Sequence, residues 1–406
     1  MVWFASILLA CKPPVSATPE EMWHPNPPAP NDAIYFVLVD RFADGDIDNN
    51  AIIDRTDPQG WHGGDIQGIL NNLDHIENMG FSTIWLSPIF DSRQEPFGEW
   101  GAYHGYWVDS MESVEPRFGS ESTLKDLSDE IHTRNMRLVV DVVYNHTSFD
   151  SPLTTEHPDW YHPARPIENW HDPFEAQTHQ VHGLPDLDQS NPEVQDYLLD
   201  STTRWIQSAH IDGLRIDAVR HIDPKFFPLL QSTLTETFGT VSTIGEIFDG
   251  NRRSVVDAWR QSGFQSVFDF PLYYAMIDGG CRNQHAGRIA ANLAYDQWTD
   301  IPGEWVTFLD NHDLPRLASV CGSDRVPLML ALQMSSRGRP MMTYGTESGL
   351  EGSEEPTNRG DMNFEATPHV ETVRELLELR RPHGQGRLAE PRTCHHLLHR
   401  RQASRA

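Results

Sequence analysis

Ile211-Asp212-Gly213-Leu214-Arg215-Ile216-Asp217-Ala218-Val219-Arg220-His221 is the stretch on which the fold of this chain turns. A short apolar run, 211–216, leads straight into charge. Amphipathic helical patterns flank it, at 193–209 before and at 225–238 after. A strand caught between two helices predicts a parallel sheet with helical crossovers. A strand buried on both faces is nearly all apolar. The charges at Arg215 and Asp217 therefore carry a desolvation cost and need a reason.

Outward from this unit the same rhythm recurs. Candidate strands fall at 34–39, 81–86, 137–143, 211–216, 241–245, 266–270, 305–309 and 340–344. Helical patterns lie between them, at 66–79, 123–135, 193–209, 225–238 and 326–337 among others. Eight strand-plus-crossover units predict a closed (β/α)8 TIM barrel over residues 33–381. One interval breaks the rhythm: 147–191, rich in His, Pro, Asp and Trp, has no clear periodicity. Long excursions after a barrel strand sit at the C-terminal face, so this interval is expected to form a small lobe flanking the cleft.

Catalytic residues of such barrels project from the C-terminal ends of strands. Here the third strand ends Asp141-Val142-Val143-Tyr144-Asn145-His146 and the fourth runs into Asp217. The fifth ends Gly245-Glu246, and the seventh ends Leu309-Asp310-Asn311-His312-Asp313. A lone Asp at a strand end is usually a helix cap or a salt-bridge partner; acids at four strand ends in barrel register are not. Glycosidic cleavage needs one protonated and one ionised carboxyl group. Glu246, among other carboxylates, suits the acid. Asp217, two residues from Arg215 on one strand face, suits the ionised nucleophile. His146 and His312 suit donors to sugar hydroxyls, and Asp313 suits a grip that tightens as the ring flattens.

The bulk properties agree. The 406 residues carry a formal net charge of -28, which disfavours nucleic acid and anionic lipid as partners and suits a neutral substrate or a cation. A mean hydropathy of -0.51 argues against a membrane bundle. The cysteines at 11, 281, 321 and 394 form no CxxC pair, so a zinc site is not expected. Cys281 and Cys321 read as buried thiols, with a disulfide open to them in an oxidising compartment. Residues 1–11 resemble a secretory h-region without its charged n-region, and Leu8-Leu9-Ala10-Cys11 resembles a lipobox whose cysteine would be lipidated. Export, with a Pro-rich tether through residue 32 and a membrane link only through such an anchor, is the expectation. At the other end, residues 380–406 hold seven Arg, four His and a single acid, Glu390. That reversal reads as a basic, disordered tail over 382–406, or as a frameshifted or truncated end.

The motifs together resemble the α-amylase family of glycoside hydrolases, which includes cyclomaltodextrinases and cyclodextrin glucanotransferases. The resemblance rests on DVVYNH at 141–146, GLRIDAVRH at 213–221, GEIF at 245–248 and FLDNHD at 308–313. FSTIWLSP at 81–88, LPDLD at 184–188 and GRPMMTYGTE at 338–347 support it. It implies Asp217 as nucleophile, Glu246 as acid/base and Asp313 as transition-state stabiliser. Arg215, His146 and His312 would grip the sugar, and Tyr103, in Ala102-Tyr103-His104-Gly105-Tyr106-Trp107, would be its aromatic platform. Arg220 and His221 would line the leaving-group side, and Arg359 would contact a distal glucose. Calcium is the implied cofactor, held by Asn145, Asp186 and the His221 carbonyl. A second calcium site is implied at Asp44, Asp46, Asn49, Asn50, Gly63 and Asp65. The family's C-terminal β-sandwich is expected to be absent. The reading is then retaining hydrolysis of α-1,4-glucosidic bonds in starch-like glucans. Cyclodextrin hydrolysis or glucanotransfer is the alternative in class; a dead binding barrel or an inactive truncated product is the alternative outside it.

Overall fold

Eight short strands, almost wholly apolar, pair only in parallel and close on themselves. The computed structural model describes residues 22–29, 32–298, 305–365 and 367–380. Its strands in chain order are β1 (Ile34–Val37), β2 (Thr83–Leu86), β3 (Phe90–Ser92), β4 (Val108–Val114), β5 (Arg137–Val142), β6 (Gly213–Ile216), β7 (Ser242–Gly245), β8 (Ser266–Phe268), β9 (Trp305–Thr307) and β10 (Arg339–Thr343). The barrel runs β1-β10-β9-β8-β7-β6-β5-β2, and β3 and β4 form a separate antiparallel pair. The predicted TIM barrel is thus the observed one, and each predicted strand is present.

The differences are local and have causes. Residues 38–39 are not strand, because the chain turns into a short helix, Val39–Phe42, at the barrel rim. Phe270 likewise begins a helix, Phe270–Gly280, because the Asp269 side chain accepts the Leu272 N–H at 3.0 Å and caps it. The helix expected at 66–79 is two, Ile66–Asn71 and Leu73–Met79, broken at Asn72. The Asn72 side chain donates to the Gly68 carbonyl at 2.8 Å, competing with the helical ladder. The β3–β4 pair is not evident in the sequence. Its register shifts twice, and β4 mixes Asp109, Ser110 and Glu112 among its apolar positions.

Residues 147–191 hold only short elements, such as Leu153–Glu156 and Pro173–Thr178. Backbone hydrogen bonds stitch this segment to the end of β5: Leu187 N–H donates to the Asn145 carbonyl at 2.9 Å, and Thr147 N–H to Pro185 at 3.1 Å. Among the described residues, no sheet follows β10 and no helix is long and apolar enough to cross a membrane. The final helix, Val370–Arg380, buries Val373 and Leu377, packs the partly buried Val370 and Leu376 against the core, and leaves Leu379 exposed. Cys281 and Cys321, 40 residues apart, form a disulfide between the ends of two helices, so they are not free thiols. The expected secretion segment with Cys11, and the basic tail 382–406, lie outside the described residues.

Candidate active site

Because all eight strands are parallel, their C-terminal ends share one face. Register decides which side chains meet there. Asp141 on β5 pairs directly with Arg215 on β6. Arg215 is 1% exposed, and its Nη1 donates to Asp141 Oδ1 at 2.9 Å and to Asp217 Oδ1 at 2.6 Å. Its Nη2 sits 3.2 Å from Glu246 Oε1. One guanidinium therefore holds three carboxylates from three adjacent strands. The rings of Trp85, Tyr106 and Phe268 surround it at 5.2, 5.8 and 6.0 Å, an aromatic cage that suits a desolvated cation.

The turn after β6 sets the spacing of Asp217 and Glu246. Ala218 adopts a left-handed conformation, φ 48°, which costs a non-glycine residue of order 1–3 kcal/mol. That turn aims the Ala218 N–H at Glu246 Oε2, 3.0 Å away. Burial, with Asp217 and Asp313 nearby and against the pull of Arg215, pushes the Glu246 carboxyl up to about 7. Burial also pushes Asp141 up to about 8, opposed by Arg215 and aided by Asp217. The Tyr106 hydroxyl donates to Asp141 Oδ2 at 2.8 Å.

Asp313 completes the group from the loop after β9. Burial works against its charge, but His312, Arg359 and Arg215 outweigh that and hold its carboxyl below the usual range. His312 Nε2 is 3.2 Å from Asp313 Oδ2, and Arg359 Nη2 donates to Oδ1 at 3.1 Å. Burial lowers His312 to about 3. His146, also lowered by burial, faces Asp217 with its Nε2 3.2 Å from the Tyr106 carbonyl. Across the cleft, His221 Nδ1 is 2.8 Å from the Ala176 carbonyl, and Arg220 reaches Asp249 at 3.4 Å.

Four expectations need correction. Tyr103 is fully buried, its ring 3.8 Å beneath the Arg41 guanidinium, so it has no face to offer a sugar. Tyr106 has that face: it is half-buried and stacks on His312 at 5.0 Å and 5°. Arg359 is not a distal contact, since it is buried against Asp313 and donates from Nε to the His312 carbonyl at 2.8 Å. The Asp65 carboxylate is not free for a metal, because its two oxygens accept from Gly45, Asp46, Gly68 and the Asn49 side chain. Asp46 is exposed, and its Oδ1 accepts the Asp48 N–H at 3.1 Å instead of turning inward.

The remaining expected calcium ligands do fit hard-cation chemistry. Among the described residues no three His, Cys, Asp or Glu side chains cluster as a metal site. The donors are instead mixed amide and carboxylate oxygens. Asn145 Oδ1 and Asp186 Oδ1 are buried with no hydrogen-bond partner, as are Asp44 Oδ1, Asn49 Oδ1 and Asn50 Oδ1. Desolvated oxygens without donors are what calcium takes. At Gly63 a side chain would meet Asn50 Oδ1 at 2.4 Å, so glycine keeps that cradle open.

Comparison with known proteins agrees with this geometry. The family model for the α-amylase catalytic domain matches residues 36–382. The chain is 33% identical over 357 residues to a β/α-amylase of Paenibacillus polymyxa, covering 82% of this chain and only 29% of that protein's length. The crystal structure of an Anoxybacillus α-amylase superposes with a TM-score of 0.82 at 35% identity, covering 86% of this chain and 78% of that one. A cyclomaltodextrin glucanotransferase with a three-domain ABC distribution superposes at 0.80 with 30% identity, covering 86% of this chain and 80% of that one. With the match spanning the barrel and the acids gathered at its C-terminal end, the chain belongs to the α-amylase family of glycoside hydrolases.

Proposed function

We propose that this glycoside hydrolase cleaves α-1,4-glucosidic bonds of starch-like glucans with retention of configuration. The observation that carries the reading is the division of charge around Arg215: the guanidinium sits 2.6 Å from Asp217, while Glu246 is raised to about 7. In the first step the Asp217 carboxylate attacks the anomeric carbon, and Glu246 gives its proton to the departing glycosidic oxygen. In the second, the Glu246 carboxylate takes a proton from water, whose oxygen displaces Asp217. Asp313, kept ionised, would hold the ring hydroxyls as charge develops, and Tyr106 would cover the apolar sugar face. Product analysis on starch, maltooligosaccharides and cyclodextrins tests substrate class. Proton NMR of fresh product should show the α-anomer first; a β-anomer first would sink the retaining mechanism. Transfer to a sugar hydroxyl is the second reading, favoured by the likeness to a glucanotransferase, and the same products would reveal it.

The acid role has a pH signature. Because Glu246 is raised to about 7, its proton is held below that pH and lost above it. The kcat/KM on maltooligosaccharides should therefore fall about tenfold per unit as pH rises beyond about 7. The residual activity of Glu246→Gln on maltooligosaccharides should lack that limb; an unchanged limb would assign it to another group.

Calcium would be structural. Asn145, Asp186 and the His221 carbonyl would hold one ion, tying segment 147–191 to the barrel, and Asp44, Asn49, Asn50 and the Gly63 carbonyl a second. A ligand bound only by the native state, at 100 times its Kd, stabilises by about 2.7 kcal/mol. Chelation should lower Tm by roughly 5 °C or more, with Asp186→Ala mimicking part of the effect. Unchanged melting at confirmed zero metal content would refute a structural ion. Export is proposed as well, supported by the apolar N-terminal run and the Cys281–Cys321 disulfide, and cell fractionation would test it.

A further inference from the structure

Asn358 lies in the loop that follows β10, within the single helical turn Thr357–Arg359. It is 1% exposed, so it cannot touch a substrate in the cleft. Its side-chain amide carries two N–H groups, and both go to one strip of backbone. Nδ2 donates to the His312 carbonyl at 2.9 Å and to the Leu314 carbonyl at 3.1 Å. Those two carbonyls flank Asp313. We propose that Asn358 is a positioning residue for Asp313, fixing the backbone on either side of it so that the carboxylate meets the ring hydroxyls in the geometry of the transition state. This inference rests on the hydrolytic reading above and deepens it.

Three observations carry it. The first is that the chain at Asp313 needs an outside hold. Strand β9 ends at Thr307 and the next helix begins at Leu317; Asp313 lies between them, in neither. The Asn311 side chain accepts the Asp313 N–H at 2.9 Å, which pins the amide side of the turn. The carbonyl side is pinned from the loop after β10, by Asn358 and by Arg359 Nε, which donates to the His312 carbonyl at 2.8 Å.

The second is that this hold is itself anchored. Arg41 Nε donates to the Arg359 carbonyl at 2.9 Å, and the Tyr344 hydroxyl donates to the Gly360 carbonyl at 2.9 Å. The Asn358 N–H donates to the Glu354 carbonyl at 3.0 Å, and the Arg316 N–H to the Gly352 carbonyl at 2.8 Å. A Cβ at Gly352 would meet the Asn358 backbone nitrogen at 2.5 Å, so backbone packs on backbone there. A donor on a loose loop could fix nothing; this one is tied to the barrel rim.

The third is a division of labour. Arg359 Nη2 donates to the Asp313 carboxylate itself at 3.1 Å. That contact supplies charge at one oxygen and leaves the main chain free to pivot. Asn358 supplies two fixed points on the main chain and no charge. A displacement of about 1 Å in a group that acts on the transition state can cost about 10²-fold in rate. Ground-state binding need not change with it.

The test uses the full chain, with Asn358→Asp, Asn358→Ala and, as a control, Thr357→Ala. Thr357→Ala removes the hydroxyl that donates to the Glu354 carbonyl at 2.6 Å and loosens the same turn without touching residues 312–314. Melting curves would verify folding; Asn358→Asp is nearly isosteric, so its result stands alone if Asn358→Ala does not fold. On maltoheptaose, Asn358→Asp should lower kcat about 10–100-fold at pH 7, with KM within about twofold of wild type. Affinity for a valienamine-type inhibitor, whose flattened cationic ring mimics the transition state, should fall by the same factor. The loss should be smaller at pH 5, where a protonated carboxyl regains one donor toward the carbonyls. Thr357→Ala should keep wild-type kcat. Wild-type kcat and inhibitor affinity in folded Asn358→Asp would overturn the positioning role, as would an equal loss in Thr357→Ala or a rise in KM as large as the fall in kcat. If the wild-type chain cleaved no glucan, the hydrolytic reading alone would fail, and the inhibitor affinities would still decide the role of Asn358.

Discussion

Asp217→Asn should lower kcat on maltooligosaccharides by about 10⁴-fold or more, with the fold intact. The side chains are nearly isosteric, and Arg215 keeps Asp141 at 2.9 Å and Glu246 at 3.2 Å as partners. What disappears is the oxygen that would bond to the anomeric carbon, and no neighbouring carboxylate can replace it. Asp141 is completely buried behind Arg215, and Glu246 is raised to about 7 on the other side. Glu246→Gln should behave differently. On natural substrates it should lose about 10²–10⁴-fold, the usual contribution of general acid catalysis. On an α-maltosyl fluoride, whose leaving group needs no proton, bond cleavage should be largely spared. Equal loss for both variants on the fluoride would show that acid and nucleophile have been assigned the wrong way round.

The sequence reveals the barrel because a parallel strand buried on both faces has a compositional signature independent of its partners. All eight predicted runs are strands, their errors confined to ends where a rim turn or the Asp269 cap takes over. The acids at strand ends are legible for a related reason: charge in an apolar run is conspicuous. What a sequence does not carry is register and facing. Asp141 stands in a quoted motif, but its pairing with Arg215 follows only from the β5–β6 register. Tyr103 and Tyr106 are indistinguishable as letters. The turn between them decides which faces the cleft: Gly105 sits at φ 82°, where a side chain would meet the Pro88 carbonyl at 2.1 Å. That glycine was the available signal. Arg359, some 46 residues beyond Asp313, gave no local sign that it would be the latter's partner. Among the Asp and Asn residues of 44–50 and Asp65, composition marks a ligand loop. Only hydrogen bonding separates oxygens left free, such as Asp44 Oδ1, from Asp65, which caps the helix Ile66–Asn71.

Arg215→Leu should cost about 3–5 kcal/mol of stability at neutral pH, besides abolishing turnover. The reason is not the loss of three contacts but what they leave behind. Asp141, Asp217 and Glu246 would share a buried space with no cation, and only the Tyr106 hydroxyl and the Ala218 N–H would still donate to them. The group would respond by taking up protons. Glu246 and Asp141, already raised to about 7 and about 8, would rise further without the opposing guanidinium. A carboxyl whose folded pKa exceeds its unfolded value binds more protons in the folded state, so it destabilises more as pH rises. The deficit of Arg215→Leu should therefore be larger at pH 8 than at pH 5, where protonated carboxyls can bond to one another. Arg215→Lys should recover part of the stability, since a charge returns. It should stay nearly inactive, because an ammonium cannot reach Asp217 and Glu246 from two fixed ends. Melting curves of wild type and both variants at pH 5 and pH 8 would decide. A pH-independent deficit would mean that Arg215 acts through packing against Trp85 and Phe268, not as the counter-ion of the three acids.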